Sequence, residues 1–79
     1  MEHNYKALDE RDYRIILSFA KNSMREPETS WDLNVHRNTI TYRIRKIKAL
    51  TGLDPREFYD LIKLVDMAKS QLEGEADAG

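Results

Sequence analysis

Apolar side chains recur with helical spacing near the start of the chain, from residue 10 to residue 22. They form one wide face, made of Tyr13, Ile15, Ile16, Leu17, Phe19 and Ala20. Positions i, i+3, i+4 and i+7 share one side of a helix, so the pattern predicts a heavily buried amphipathic helix. Asp9 precedes it and is placed to accept hydrogen bonds from backbone N–H groups of the first turn.

A second, shorter helix is predicted from residue 27 to residue 33. Pro27 suits a first helical turn because its φ is fixed near the helical value and its missing N–H would have no partner there. Asn34 follows, and asparagine tolerates the left-handed backbone conformation that often ends a helix. We expect Val35 to direct its side chain inward before the next helix begins.

The third predicted helix, from residue 36 to residue 50, is called the reading helix. It contains no Gly or Pro, and Gly52 is placed to end it. Successive helical residues turn by about 100°, which places Ile40, Ile44 and Ile47 on one side. We therefore expect these three isoleucines to face the core.

The second and third helices have the spacing of a helix-turn-helix. The turn needs a small residue where the helices approach, then an apolar residue, a residue that tolerates positive φ, and another apolar one. Ser30, Leu33, Asn34 and Val35 occupy these positions. Ile40 then packs the reading helix back onto the helix before it. We expect an all-α domain of three to four helices built on this motif.

A fourth helix is predicted from about residue 55 to residue 72. Asp54 is placed as its N-cap, Pro55 as its first residue, and Glu57 to complete a capping box.

The apolar face of this fourth helix is unusually broad. One stripe is made of Phe58, Leu61, Ile62, Val65 and Leu72. Leu64, Met67 and Ala68 widen the stripe beyond what a three-helix core requires, which predicts a homodimer interface at these three residues. The alternative is that the first helix covers them.

Length and composition limit the organisation of the chain. Its 79 residues support one core, so we expect one domain over residues 9–72. Residues 1–8 are an N-terminal arm, and the acidic residues 73–79 are expected to be disordered. The absence of cysteine fits a reducing cytoplasm, and no apolar stretch approaches the roughly 20 residues of a membrane span. We expect a cytoplasmic protein without a membrane partner.

Charged residues are balanced in number but separated along the chain. From Asn34 to Thr51 there are five basic residues and no acidic one, while the rest of the chain has eight basic and fourteen acidic residues. Salt screens charges beyond roughly 10 Å. A locally basic helix therefore attracts a polyanion although the net charge is −1.

The side of the reading helix opposite the isoleucines combines amide, hydroxyl, phenol and guanidinium groups with one small residue. Its members are Asn38, Thr41, Tyr42, Arg45 and Ala49. This chemistry suits the edges of DNA bases. Basic residues stand at the edges of this side, where phosphates lie when a helix enters the major groove. They are Arg43, Lys46 and Lys48, while Arg37 lies at the N-terminus of the helix near the edge of the same side. We expect Arg37, Asn38, Thr41, Tyr42 and Arg45 to read the groove.

Several of these candidates have a second interpretation. Arg43 projects beside the core, so it forms an ion pair with an acid of the first or fourth helix or contacts phosphate. His36 is a helix cap or lies next to phosphate, and Thr39 serves the helix start or binds phosphate. Tyr42 stacks on sugar or base, or shields backbone. Trp31 packs on the first helix, on the DNA backbone or in a dimer contact.

Three segments of the sequence carry a family resemblance. They are Leu33-Asn34-Val35-His36-Arg37-Asn38-Thr39, Tyr42-Arg43-Ile44-Arg45-Lys46-Ile47 and Leu50-Thr51-Gly52-Leu53-Asp54. In this order they resemble the C-terminal helix-turn-helix of the PucR/CdaR family of bacterial regulators. The resemblance implies a Fis-like or homeodomain-like bundle that binds specific sequences of double-stranded DNA in a transcription regulator. It implies residues 36–48 as the recognition helix.

Other classes of function receive little support from the sequence. It has no Gly-rich phosphate loop, no cluster of metal ligands and no nucleophile with an evident base, so we expect neither an enzyme nor a cofactor. No small-molecule site is expected either. The rival hypothesis is a protein-docking module that uses the apolar face of the fourth helix and Trp31.

Overall fold

The computed structural model describes the backbone of residues 7–78 and side chains as far as Glu73. It contains four helices: α1 (Glu10–Lys21), α2 (Glu26–Leu33), α3 (Arg37–Thr51) and α4 (Phe58–Ala78). The described residues include no strand. This architecture confirms the predicted all-α helix-turn-helix bundle. Most of the predicted N-terminal arm, residues 1–8, lies outside the described residues.

The core lies where α1 crosses the other three helices, and α1 packs most extensively on α4. Its buried apolar residues come from all elements except α2. They are Leu8, Tyr13, Ile15, Ile16, Phe19, Ile40, Ile44, Ile47, Leu61, Leu64 and Ala68. The prediction that Ile40, Ile44 and Ile47 face the core is confirmed, because none of them is more than 1% exposed.

The start of α1 is held by a reciprocal capping box, in which Asp9 accepts a backbone N–H as predicted. The Asp9 side chain accepts the Asp12 backbone N–H at 3.0 Å, and the Asp12 carboxylate accepts the Asp9 backbone N–H at 3.0 Å. Two of the donors that an open helix end leaves unpaired are thereby bonded.

The turn between α2 and α3 is a tight left-handed one. Asn34 has φ 54° and ψ 47°, which confirms the conformation predicted for it. The backbone N–H of Val35 donates to the Ser30 carbonyl oxygen at 3.0 Å. Held in this way against the end of α2, Val35 stays 38% exposed, so the prediction that it enters the core is wrong.

The start of α4 differs from the prediction. The Asp54 carboxylate accepts the Arg56 backbone N–H at 2.9 Å, and the Glu57 backbone N–H donates to the Asp54 carbonyl at 2.9 Å. Aspartate often closes a turn on its own backbone two residues ahead. Because these bonds make a turn of residues 54–57, α4 begins at Phe58, and Asp54 does not cap it.

The far end of α4 includes most of the acidic tail. The helix is assigned to Ala78, but side chains from Gly74 onward and the backbone of Gly79 lie outside the described residues. The expected disorder of residues 73–79 therefore stays a prediction. None of the helices in the described part of the chain has the length and apolar character needed to cross a membrane.

The inner face of α4 corrects the predicted dimer interface. Leu64 and Ala68 are 0% exposed, and Met67 is partly buried against the same core. Because α1 covers this side of α4, as the alternative interpretation held, Leu64 and Ala68 are not available to a partner. The apolar side chains that α4 leaves exposed are instead Phe58, Tyr59 and Ile62.

Candidate nucleic-acid interface

The orientation of α3 is fixed at both ends. His36 is its N-cap, and the imidazole Nδ1 accepts the Asn38 backbone N–H at 3.0 Å. Gly52 ends the helix with φ 75°, a left-handed conformation that costs glycine little. With its three isoleucines in the core, α3 has a defined outer side. The capping interpretation of His36 is thus realised in the structure.

The outer side of α3 brings together four of the five residues that were predicted to share it. Asn38, Tyr42, Arg45 and Ala49 are all exposed, Tyr42 to 65%. The Arg45 guanidinium makes no hydrogen bond or ion pair with any described residue. These side chains form a polar surface with one free cation and a small residue at its end.

Thr41 lies at the edge of this surface because its hydroxyl has an internal partner. It donates to the Glu26 carboxylate at 2.6 Å, and the Arg56 guanidinium donates to the other oxygen of that carboxylate at 3.0 Å. Glu26 belongs to the first turn of α2, so one carboxylate joins α2, α3 and the turn before α4. We call this group the Glu26 cluster: Glu26, Thr41 and Arg56.

The Glu26 cluster stabilises the charged form of its acid. The hydrogen bond from the Thr41 hydroxyl lowers the pKa of Glu26 most, burial opposes this by raising the pKa, and the Arg56 bond and charge lower it further. The net effect is a pKa below the ordinary value of 4.5.

A second carboxylate joins α3 to α1. Asp12 is 0% exposed, and its two oxygens accept from Arg43 Nη1 and Lys46 Nζ, each at 2.9 Å. Arg43 also reaches the Asp9 carboxylate at 3.3 Å. The structure thus gives Arg43 the ion pair with the first helix that was one of its two interpretations, and it places Lys46 in the same cluster. We call these four residues the Asp12 cluster.

The pKa of Asp9 is lowered within the Asp12 cluster. The backbone hydrogen bond from Asp12 is the largest cause, desolvation acts in the opposite direction, and the Arg43 charge adds to the lowering.

The other predicted DNA contacts of α3 are open to solvent. Arg37 and Thr39 are exposed in the first turn of α3. Lys48 forms an ion pair with Asp54 at 3.4 Å, but its side chain is 61% exposed. Exposed pairs of this kind contribute roughly 0–1 kcal/mol, so Lys48 can exchange Asp54 for another anion at little cost.

The comparison with protein families decides what this helix pair is. Residues 13–65 match the family model described as the PucR C-terminal helix-turn-helix domain, and this span is more than half of the chain. The chain belongs to this family. Searches of curated proteins and of solved structures gave no significant match.

Membership gives the PucR-type domain a general role. Its family consists of helix-turn-helix domains of DNA-binding transcription regulators, which are not typically enzymes. The matched residues include the whole of α2 and α3 and the turn between them, the elements that position the outer side of the reading helix.

Sequence reasoning missed two acids that position α3 in the PucR-type domain. It gave Asp12 no role in positioning α3, yet Asp12, Ile15, Ile16 and Phe19 have the i, i+3, i+4, i+7 spacing of a core stripe. An acid within an apolar stripe was the available signal that a cation pairs with it. Glu26 gave no comparable signal, because its partner Thr41 is 15 residues away in sequence.

One open interpretation of Trp31 is now settled. Trp31 is 74% exposed on α2, so it does not pack on α1. Contact with the DNA backbone and contact with a second copy of the chain both remain as predictions for this side chain.

Proposed function

We propose that this PucR-type domain binds specific sequences of double-stranded DNA as part of a bacterial transcription regulator that acts in the cytoplasm. The reading helix, residues 36–50, enters the major groove. The observation that carries the proposal is the outer side of α3, where exposed Asn38, Tyr42 and Arg45 stand directly opposite buried isoleucines. A helix held in this way presents its polar side chains to a ligand in one orientation.

The chemistry of the outer side matches what base edges offer. An asparagine amide pairs with N6 and N7 of adenine, and an arginine guanidinium with O6 and N7 of guanine. Asn38 and Arg45 supply these groups, and Arg45 has no competing partner among the described residues. Ala49 leaves room for a thymine methyl group, and Tyr42 offers a ring and a hydroxyl.

The contacts to phosphate come from the edges of α3. Arg37, Thr39 and Lys48 are exposed there, and His36 lies at the helix start beside them. Arg43 and Lys46 are left out of this set because Arg43 Nη1 and Lys46 Nζ each form an ion pair with the buried carboxylate of Asp12. The same reasoning assigns the Thr41 hydroxyl a supporting position beside the bases instead of a central one.

A homodimer is part of the proposal. Two copies related by a two-fold axis place two reading helices about one DNA turn, roughly 34 Å, apart. The exposed apolar residues Met24, Phe58, Tyr59 and Ile62 provide a contact surface in place of the buried face of α4. A net charge of −1 gives two copies little long-range repulsion.

The second candidate function is docking to another protein. It is favoured by one observation, the exposure of large apolar side chains away from α3: Trp31 at 74%, Tyr59 at 78% and Phe58 at 57%. In that case the basic helix serves solubility alone.

Selection from a random duplex library, followed by fluorescence-anisotropy titration at two salt concentrations, distinguishes the two functions. DNA binding predicts enrichment of a two-fold related sequence and an affinity that falls steeply with salt. Arg45→Ala is expected to weaken binding to the selected duplex by about tenfold or more, since one bidentate base contact is lost.

Lys69→Ala is the matched control, because Lys69 is an exposed cation of α4 without an ion pair to the described residues. It should bind like the unmodified protein. Absence of binding even at low salt contradicts the proposal and favours the docking module.

A further inference from the structure

A groove runs between α1 and the start of α3, beside the outer side of the reading helix. Its volume is about 350 Å³. We call it the α1–α3 groove; it is lined by Arg11, Arg14, Ile15, Leu33, Val35, Thr39 and Arg43 of the Asp12 cluster. None of the sequence patterns pointed to α1 as a ligand-binding element.

The polar part of the α1–α3 groove has unused capacity for an anion. The guanidinium of Arg11 and the hydroxyl of Thr39 make no side-chain hydrogen bond or ion pair with any described residue. Arg14 pairs with Glu10 at 3.0 Å, but both side chains are more than half exposed. A pair this exposed exchanges readily for a stronger anionic partner.

The acids near the groove do not cancel this charge. Asp9 and Asp12 are already matched by Arg43 and Lys46 within the Asp12 cluster. Among the described acids, Glu10 pairs with Arg14, and Asp32, which shares a neighbouring groove with Arg14, is bonded to Ser18 and Lys21. Arg11 is left without an acidic partner in the described part of the chain, so the groove keeps a positive excess.

The other part of the α1–α3 groove is apolar. Ile15 forms its buried base, Leu33 is partly buried, and Val35 remains 38% exposed. A ligand that fits both parts carries a negative charge directly beside an apolar group. The sugar–phosphate chain of DNA has this composition, since each phosphate is joined to a deoxyribose with C–H groups on its surface.

The position of the groove relative to α3 matches a duplex. Thr39 and Lys48 are nine residues apart, which is about two and a half turns at 3.6 residues per turn, so they lie on opposite sides of α3. A helix in the major groove has one sugar–phosphate chain on each side. Lys48 therefore faces one chain, and Thr39 with the α1–α3 groove faces the other.

We propose that the α1–α3 groove holds the sugar–phosphate chain of one DNA strand, with Arg11 and Thr39 bound to a phosphate and Val35 against the adjacent deoxyribose. This inference rests on the proposed function and extends the interface beyond the helix-turn-helix to α1. It gives Val35, which the core does not use, a role at the interface.

Arg11→Gln tests the contact without threatening the fold. Arg11 lies in the first turn of α1, where a cation opposes the helix dipole, so its removal leaves the unfolding temperature unchanged or slightly raised. The dissociation constant is expected to rise severalfold, by the same factor on the selected duplex and on a scrambled duplex. The plot of the log of the association constant against the log of the salt concentration should become less steep by about 0.9, the contribution of one phosphate contact.

Two further variants complete the experiment. Thr39→Val removes the hydroxyl at nearly constant side-chain shape and should weaken binding to both duplexes by the same factor. Lys69→Gln is the control for loss of a cation elsewhere on the protein. If Arg11→Gln leaves affinity and salt slope unchanged while Arg45→Ala weakens binding, the groove inference is overturned and the proposed function stands. A loss confined to the selected duplex also overturns it, because that result indicates a base contact. If the unmodified protein binds no duplex, the proposed function fails first.

Discussion

Asp12 shows how much a single buried side chain determines in a core of this size. Its carboxylate closes the capping box of α1 and pairs with two cations of α3, and no part of it is exposed. A buried charge is tolerated only when it is paired and hydrogen-bonded. Because Arg43 and Lys46 share the Asp12 carboxylate, its removal leaves Lys46 without an ion pair to the described residues and leaves Arg43 with Asp9 alone.

Asp12→Asn is therefore expected to lower the free energy of unfolding by about 2–4 kcal/mol, since it leaves two partly buried cations without their shared anion. Urea unfolding followed by circular dichroism measures this change. Asp66→Asn is the control, because Asp66 is exposed on α4 and makes no ion pair with the described residues, and it should change stability by no more than about 0.5 kcal/mol. Equal stability of the two variants would contradict the assigned role of Asp12.

At the level of elements, the Glu26 cluster fixes how α2 meets α3. The Asn34 turn sets the path of the chain between the two helices, and the Glu26 carboxylate then ties the first turn of α2 to Thr41 and Arg56. The folded-state pKa of Glu26 lies below its ordinary value of 4.5. The contribution of this carboxylate to stability is consequently present above that value and is lost as the pH falls through the folded-state pKa.

Glu26→Gln is expected to cost roughly 1–2 kcal/mol at neutral pH, because a charged acceptor of two hydrogen bonds becomes neutral. The cost should shrink as the pH falls below 4.5, where Glu26 itself becomes protonated in the unmodified protein. Free energies of unfolding measured for both proteins from neutral pH to about pH 3 check whether their difference shrinks in this way. Glu28→Gln removes an acid from the same turn of α2 and serves as the control; identical pH profiles for the two variants would refute the role of the cluster.

Some helix boundaries could be predicted from the sequence, and one could not. Helical periodicity identified α1 and α3. The chemistry of Asp9, Asn34 and Gly52 located the start of α1, the end of α2 and the end of α3, because caps and left-handed turns depend on local residues. The start of α4 was misplaced since Asp54 closes a turn of its own. The local sequence favours both arrangements, and only tertiary packing selects between them.

The candidate site was likewise predicted only where local sequence determines it. The outer side of α3 was predictable because it is defined by helical rotation away from Ile40, Ile44 and Ile47. Which cations of α3 remain free was not predictable, because Arg43 and Lys46 are engaged by an acid more than 30 residues away in sequence. Charge counted along a segment therefore overestimates the charge that the segment offers to DNA.

At the scale of the whole molecule, the apolar surface of α4 offers the contact that we propose for a second copy. Phe58 and Tyr59 meet edge to face with ring centroids 5.4 Å apart, and Ile62 is 49% exposed one turn further along α4. Met24 lies across a groove shared with Phe58 and Ile62. These side chains form a continuous apolar surface that the monomer does not use.

Ile62→Asp is expected to abolish dimerisation, because a charge then lies at the centre of the contact. Sedimentation velocity over a roughly hundredfold range of concentration measures this, since association depends on concentration. Lys69→Asp places the same charge on a polar part of α4 and should leave the dimer intact. A molecular mass that stays monomeric for the unmodified protein at every concentration would show that the domain binds DNA as a single copy or through another partner.

The Asp12 cluster links the start of α1 to two cations of α3. The bond that closes the first turn of α1 and the bonds that hold Arg43 and Lys46 share one carboxylate. Substitution of Asp12 therefore removes a bond at the start of α1 and the shared partner of two α3 cations together. The helix that begins the core and the charge beside the reading helix depend on the same side chain in this way.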